Sequence, residues 1–295
     1  MWQPPRGAIL VCVDGSAAAL GAVRWAARDA VLRNAPLTLV HISDAPLPEW
    51  FEATAMAGGR QRPELGAIEA ATEIADACAA NCGPLQIDSK VFNSATIPTL
   101  VGLSAEVEMV VVGYRGRGGV SARGLGSVSS ALVYSAHCPV AVIHGNQTMI
   151  DGAAREPVLV GIDGSPASEA ATAIAFAEAS RRGVGLLALH VWTDPWVSGS
   201  RTSFQDSSWD ARPSEEEESL AERLAGWHER YPDVAIHRSI EIGDPARCLI
   251  EASRQAQLLV VGSHGCSRFR GTVLGSVGAS AVNKAKVPVI VARQS

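Results

Sequence analysis

The chain has 295 residues, 47% of them hydrophobic, which is enough apolar material for two domains of ordinary size. Its formal net charge of −5 and isoelectric point near 5.8 argue against broad electrostatic binding to nucleic acid or to an anionic membrane. No apolar run approaches the roughly 20 residues that a membrane-spanning helix requires.

The amino terminus runs directly into a strand-like segment, residues 8–13, and lacks the long apolar region of a signal peptide. The six cysteines are scattered without CxxC spacing, which is typical of thiols in a cytosolic protein. We therefore expect the protein in the cytoplasm. Cys78 and Cys82 are the close pair, four residues apart on a predicted helix. They are interpreted as small apolar helix positions, with a metal or redox role as the alternative.

Short β-branched runs alternate with helical patterns along the first half of the chain. The predicted strands lie near residues 8–13, 37–42, 86–92, 108–113 and 139–144. Strands that alternate with helices pair in parallel through right-handed crossovers, and nearly continuous apolar strands are covered by helices on both faces. The first half is therefore predicted to be a five-stranded, doubly wound parallel sheet.

The second half repeats the first. Asp163-Gly-Ser lies 149 residues after Asp14-Gly-Ser, and the same offset separates Gly262 from Gly113 and Gly275 from Gly126. A constant offset across the chain indicates duplication of one domain. The fold class is thus α/β, with two tandem doubly wound five-stranded parallel-sheet domains, residues 1–148 and 149–295.

Two segments interrupt the regular pattern after the second strand of each copy, residues 44–63 and 193–213. Both are rich in Pro, Gly, Ser and Trp, and they are interpreted either as mobile lids or as ordinary surface loops. The acidic run that follows the second of them, Ser214–Glu218, predicts a helix that is capped by Ser214 and whose carboxylates complement the helix dipole.

Two recurring motifs fall where a parallel sheet binds its ligand, beyond the carboxyl ends of its strands. Asp14-Gly-Ser closes the first strand, and Gly113-x2-Gly116-x9-Gly126-Ser127 joins the fourth strand to the next helix. Glycines allow positive φ and let backbone N–H groups approach an anion closely. Ser127 is expected at the helix N-terminus, where its hydroxyl caps the helix or binds a phosphate oxygen. The pattern predicts a polyphosphate site, with a tight crossover turn as the alternative.

Both motif sets resemble those of the ATP-binding branch of the universal stress protein family, in the tandem form known from mycobacteria. The resemblance covers roughly residues 7–145 and 156–293. It implies an adenine-nucleotide-binding fold with strand order 3-2-1-4-5, nucleotide-dependent regulation of stress response or growth, and pairing of domains through their fifth strands.

The resemblance also implies the residues of two ATP sites, one in each domain. Asp14 and Asp163 would lie by the ribose and phosphates and are candidate ligands for magnesium. Backbone at Val40 and Leu189, closing the second strands, would meet adenine, and Asp194 would reach the site from its rim. The positions around the phosphates are Gly113, Arg115, Gly116, Arg117, Gly118, Gly119, Gly126, Ser127 and Val128 in the first copy, and Gly262, His264, Gly265, Gly275, Ser276 and Val277 in the second.

The two copies differ in ways that predict unequal affinities. Gly161, two residues before the motif aspartate, follows the family pattern, whereas the first copy has Cys12, whose side chain is expected to crowd the nucleotide. Arg115 and Arg117 are interpreted as offsetting phosphate charge or as solvated loop charges, and the second copy has His264 in place of the first of them. His41 and its counterpart at the end of the other second strand are interpreted as structural histidines.

No P-loop, nucleophile elbow or HExxH motif is present in the sequence. ATP is therefore expected to be a bound effector, and the protein is not expected to be an enzyme. The alternatives are a slow ATP hydrolase or nucleotidyl transferase that holds magnesium on the motif aspartates, and a scaffold with vestigial nucleotide sites. Apolar edge strands are usually covered, so a homodimer through the fifth strands is predicted, with a regulatory protein partner whose identity the sequence leaves open.

Overall fold

The computed structural model describes residues 2–44, 63–116, 124–144, 155–192, 212–265 and 274–293. These residues form two compact units, a first unit that ends at residue 144 and a second unit that starts at residue 155. The predicted boundary between residues 148 and 149 lies outside the described residues. Within the described residues, no helix is long and apolar enough to cross a membrane.

In the first unit, strands and helices alternate as the sequence predicts. Its elements in chain order are β1 (Ile9–Cys12), α1 (Ala17–Arg33), β2 (Leu37–Ser43), α2 (Pro63–Cys82), β3 (Ile87–Asn93), α3 (Thr96–Leu103), β4 (Met109–Gly113), α4 (Ser127–Ser135) and β5 (Val140–Ile143).

The second unit repeats this order. Its elements are β6 (Val158–Gly161), α5 (Pro166–Arg182), β7 (Leu186–Trp192), α6 (Arg212–Arg230), β8 (Ile236–Ile242), α7 (Pro245–Ala252), a short 3-10 turn (Ser253–Gln255), β9 (Leu258–Gly262), α8 (Ser276–Lys284) and β10 (Val289–Ala292).

Each unit contains five parallel strands, and the predicted strand order 3-2-1-4-5 is confirmed. The order is β3-β2-β1-β4-β5 in the first unit and β8-β7-β6-β9-β10 in the second. In the first unit, Leu10 of the central strand pairs with Thr38 of β2 on one side and with Val110 of β4 on the other. The carboxyl ends of β1 and β4 therefore lie side by side, at the point where the strand order reverses.

The central strands are apolar and buried throughout, because helices cover both faces of each sheet. Ile9, Leu10 and Val110 have no exposed surface. Helix α1 packs against the sheet through small residues such as Ala22 and Ala26, which let the helix axis approach closely. Burial of this apolar surface, at about 25 cal/mol per Å², is the main source of stability in such a layered fold.

The acidic run at the start of α6 does not begin as the sequence predicts. The helix begins at Arg212, so Ser214 lies inside the first turn and does not cap the helix. Glu217 and Glu218 lie in the second turn of the helix. The two interrupting segments between the second strand and the next helix fall at residues 45–62 and 193–211, outside the described residues.

Candidate functional site

A cavity of about 390 Å³ opens at the carboxyl ends of β1 and β4 in the first unit. Nine of its lining residues are positions that the sequence predicted: Cys12, Asp14, Val40, Gly113, Arg115, Gly116, Gly126, Ser127 and Val128. The two motifs, which are about a hundred residues apart in sequence, therefore meet around one cavity.

The turn after β1 holds the Asp14 carboxylate in a fixed position. The Ser16 N–H donates to Asp14 Oδ1 (2.9 Å), and Gly15 adopts φ of +76°, which a residue with a side chain rarely takes. Ser16 Oγ in turn accepts from the Ala19 N–H (3.1 Å) and caps α1. Gly15 and Ser16 thus stabilise the turn, and Asp14 lines the cavity.

Gly116 must be a glycine because of its contact with that aspartate. A Cβ at position 116 would collide with Asp14 Oδ2. In the second unit a Cβ at Gly265 would lie 2.8 Å from Asp163 Oδ2. In both copies the loop backbone therefore lies directly against the motif carboxylate, as expected for residues of one binding site.

Gly113 is required for a reason that the sequence did not reveal. A Cβ there would lie 2.7 Å from the backbone carbon of Ala18, at the start of α1, and Gly262 has the same relation to Ala167 (2.8 Å). Neither glycine adopts positive φ. The prediction that positive φ explains the loop glycines is wrong for these positions, since close packing of strand against helix explains them.

Ser127 does not cap α4. Gly126 is the N-cap residue, with φ of −63° and ψ of 156° and no side-chain cap, and Ser127 is the first helical residue. Gly275 and Ser276 repeat this arrangement at α8. Without a side-chain cap, the N–H groups of the first turn of α4 are left to other partners, and Ser127 and Val128 border the cavity.

Arg115 is tied to the loop that it begins. Its Nε donates to the Gly124 carbonyl (2.8 Å), and its guanidinium carbon lies 5.2 Å from the centre of the Tyr114 ring. Tyr114 itself stacks on His144, with ring centres 4.7 Å apart. Arg115 therefore joins the two ends of the glycine-rich loop while it lines the cavity, and is not a freely solvated charge.

Cys12 lies in the cavity wall and is partly exposed. Burial raises the pKa of the Cys12 thiol, and the negative charge of Asp14 acts in the same direction. The thiol is thus a neutral, weakly polar part of the wall. At the matching position of the second unit, Gly161 leaves room for Leu249, whose Cδ1 lies 2.9 Å from where a Cβ would stand.

Val40 and Leu189 were predicted to close the second strands, and this detail is wrong. β2 continues to Ser43 and β7 to Trp192. The Val40 carbonyl accepts from the Val13 N–H (2.8 Å), and the Leu189 carbonyl accepts from the Ile162 N–H (2.9 Å). Val40 nevertheless borders the cavity.

The second unit has the same Asp-Gly-Ser turn as the first, but the side chains near the turn differ. Asp163 Oδ1 accepts from the Ser165 N–H (2.9 Å), and Gly164 has φ of +76°. His264 lies beside Ser263, with 3.0 Å between its Nδ1 and Ser263 Oγ. Gly265, Gly275, Ser276 and Val277 occupy positions that match those of the first loop. Arg117, Gly118, Gly119 and Asp194 lie outside the described residues.

The histidines of the second strands are structural, as expected. His41 Nδ1 donates to the Val13 carbonyl (2.7 Å), and His190 Nδ1 donates to the Ile162 carbonyl (2.7 Å). A carbonyl oxygen only accepts, so each ring carries its proton on Nδ1. Both histidines therefore fix the backbone next to the motif aspartate.

Four residues near the two sites were missed from the sequence. Leu100 and Thr96 of α3 line the first cavity, and Asp44 Oδ1 accepts from the Thr96 N–H (2.6 Å) and so caps that helix. In the second unit the Arg223 guanidinium lies 2.6 Å from a Cβ position at Gly164 and pairs with Glu169 (3.5 Å). None belongs to a recognised motif, so only the fold reveals them.

Fold and site together define a tandem doubly wound α/β protein whose two motif sets recur at the switch point of each sheet. A family model for the universal stress protein family matches residues 6–144 and again residues 154–293. The chain belongs to the universal stress protein family.

Its relatives match along almost the whole chain. Universal stress protein Rv2623 of Mycobacterium tuberculosis is 47% identical over 290 residues, covering 97% of this chain and 96% of the relative. A universal stress protein of Mycolicibacterium smegmatis is 44% identical over 292 residues, with coverage of 97% and 96%. The crystal structure of a universal stress protein from Archaeoglobus fulgidus aligns with a TM-score of 0.67 and 17% identity, covering 99% of this chain and 100% of that one, and so supports the fold.

Proposed function

We propose that this universal stress protein binds ATP in the cavity of the first unit and at the matching turn of the second. The observation that carries the proposal is the contact of the Gly116 backbone with Asp14 Oδ2 at the rim of a cavity of about 390 Å³. Glycines beside a fixed carboxylate leave room for a ligand with both hydroxyl and phosphate groups. The volume falls within the roughly 300–1,000 Å³ of small-molecule sites.

The cavity wall is divided in a way that suits a nucleotide. Ile42, Leu100 and Val112 provide an apolar part for the base. Asp14 accepts hydrogen bonds, which suits ribose hydroxyls. The start of α4 and Arg115 provide backbone N–H groups and positive charge for phosphates. The alternative of a mere crossover turn does not account for a cavity with this division.

Magnesium would bind through Asp14 in the first unit and through Asp163 in the second. Among the residues that the structure describes, no group of three His, Cys, Asp or Glu side chains is placed to hold a metal ion. Mg²⁺ usually combines one or two carboxylates with phosphate oxygens and water, so a single carboxylate suffices when ATP supplies the rest. The ion would neutralise phosphate charge beside the aspartate.

We further propose that nucleotide occupancy regulates a stress or growth response through a protein partner and that the protein forms a homodimer. Gly116 and Gly126 of the glycine-rich loop line the cavity and would meet the bound phosphates. Ordering of that loop by ATP would change the surface offered to a partner. In this proposal ATP acts as an effector.

Thermal unfolding with and without ATP and magnesium tests the binding step. A ligand that binds only the folded protein stabilises it by about 2.7 kcal/mol at one hundred times its dissociation constant. The double variant Gly116→Asp/Gly265→Asp places a carboxylate against Asp14 and Asp163, and so it should lose the shift through both steric overlap and charge repulsion.

The matched control is Gly66→Asp/Gly226→Asp, because a Cβ at either glycine meets nothing within 4 Å. This control should keep the shift in melting temperature. Absence of a shift in the unaltered protein at millimolar ATP, or an equal shift in the Gly116→Asp/Gly265→Asp variant, would contradict the proposal.

A further inference from the structure

A second cavity lies between helices α1 and α2 of the first unit, with a volume of about 290 Å³. It shares no lining residue with the nucleotide cavity. We call it the thiol groove, because it contains two cysteines. Its charged and sulfur-bearing lining residues are Arg24, Arg28, Glu73, Cys78 and Cys82.

The two thiols of the groove are one helical turn apart. Cys78 is buried, with its Sγ 4.0 Å from the Arg24 carbonyl, whereas Cys82 is exposed at the last residue of α2. Residues four apart on a helix have Cβ atoms about 5–6 Å apart, but a disulfide requires about 3.5–4.5 Å. The Cβ spacing on a helix is thus longer than a disulfide takes, and both thiols border the same groove.

The groove also supplies positive charge. Arg24 and Arg28 lie one turn apart on α1 and face the cysteines across the groove, with Glu73 as the one acidic lining residue. The thiolate is the form of cysteine that binds metals. Two arginines against one glutamate leave a net positive wall, which suits a ligand complex with negative charge.

The number of ligands limits the kind of ion. Within the described residues, no three His, Cys, Asp or Glu side chains converge on a metal position, here or elsewhere. Structural zinc sites take four such ligands. Thiolates select soft ions, among them copper(I), and a monovalent ion held by two thiolates carries one net negative charge. That combination matches two sulfurs and a positive wall.

The second unit lacks the two arginines and the two cysteines, whereas Glu73 has a counterpart in Glu222. At the positions 149 residues later, Arg24 and Arg28 are replaced by Ala173 and Ala177, and the two cysteines by Trp227 and Tyr231. Both aromatic rings stack there on Phe176. Aromatic packing thus takes the place of the groove between the matching helices of the second unit.

We propose that Cys78 and Cys82 form a two-thiolate binding site for a soft monovalent metal ion, copper(I). Binding releases one proton from each thiol, and the ion is held by two sulfur atoms as a complex of charge −1 that Arg24 and Arg28 offset. No electron is transferred in this step. The proposal does not depend on nucleotide binding.

The test is a competition between the full-length, reduced protein and a chromogenic copper(I) chelator under anaerobic conditions. The unaltered chain should retain one copper(I) ion in the presence of the chelator, whereas the Cys82→Ser variant should lose that ion to the chelator. Cys82 is exposed, so this variant should fold, and circular dichroism checks that it does. Cys248→Ser, which removes a buried thiol of the second unit, is the matched control and should withhold the ion as the unaltered chain does.

X-ray absorption at the copper edge gives an independent readout. Two sulfur ligands are expected in the unaltered chain, and Arg28→Gln should weaken affinity without changing that number. Equal copper retention by Cys82→Ser, no retained copper in the unaltered chain, or three or more sulfur ligands would each overturn the proposal.

Discussion

The two units have the same strand order and the same Asp-Gly-Ser turn, but they differ in how their outer helices pack. In the second unit Phe176 is fully buried and stacks on Trp227, with ring centres 5.5 Å apart and planes at 12°. In the first unit the matching positions are Ala27 and Cys78, and a groove lies between the two helices. After a duplication, the strands and the Asp-Gly-Ser turn are tightly constrained, whereas helix–helix contacts can be rebuilt with other side chains.

The glycine-rich loops differ in a similar way. In the first unit Arg115 reaches across its loop to the Gly124 carbonyl, while His264 in the second contacts the adjacent Ser263. The glycines that touch the motif carboxylates are the same in both. The comparison separates the shared backbone features of the site from the side chains that tune each copy.

The largest expected effect lies in the aromatic stack. Phe176→Ala should lower the free energy of unfolding of the second unit by about 3–5 kcal/mol, because it leaves a cavity under Trp227 and Tyr231. Chemical denaturation followed by circular dichroism measures the loss. The first unit has alanine at the matching position, Ala27. A loss of unfolding free energy below about 1 kcal/mol in Phe176→Ala would show that the aromatic stack contributes little to the second unit.

The close contact of strand and helix gives the next effect. Gly113→Ala and Gly262→Ala should each cost about 1–3 kcal/mol, because the new Cβ overlaps backbone atoms of the facing helix. Gly102→Ala is the control: a Cβ there meets nothing within 4 Å, and alanine is favoured over glycine inside a helix. Equal stability of Gly113→Ala and the unaltered chain would refute the packing explanation.

These contacts show what could be predicted from sequence. The strands were predictable from hydrophobic periodicity and the repeat, and the meeting of Asp14 with the Gly116 loop from the place of both motifs at the carboxyl ends of the strands. The strand order was implied by the resemblance to the family. The role of Gly113 was not predictable, since its neighbour Ala18 is distant in sequence. The cap of α3 by Asp44 and the contact of Arg223 with Gly164 also join residues that are distant in sequence and belong to no motif.

A smaller effect concerns the alkaline stability of the first unit. The pKa of Cys12 is raised above its ordinary value of 9.0, so the folded thiol keeps its proton where the unfolded one loses it. Stability from this group is complete below pH 9 and falls as the pH rises further, by at most about 1.4 kcal/mol per pH unit. Denaturation between pH 8 and 10 should show a shallower decline for Cys12→Ser, and an unchanged slope would contradict the assignment.

The helix caps give the smallest effect. Ser16→Ala and Ser165→Ala should each cost about 1 kcal/mol, because each removes the acceptor for an N–H of the first helical turn. Ser165 should cost more, since its hydroxyl is buried and also donates to the His264 carbonyl (3.3 Å). Equal losses in urea denaturation would show that this second bond adds nothing.

Native mass spectrometry of the full-length protein with ATP and magnesium counts bound nucleotides directly. We predict nucleotide-bound species for the unaltered chain, up to two per chain, and their loss in Gly116→Asp/Gly265→Asp but not in Gly66→Asp/Gly226→Asp. If ATP does not bind at millimolar concentration, or if it binds equally well to Gly116→Asp/Gly265→Asp, the loops beside Asp14 and Asp163 are not nucleotide sites.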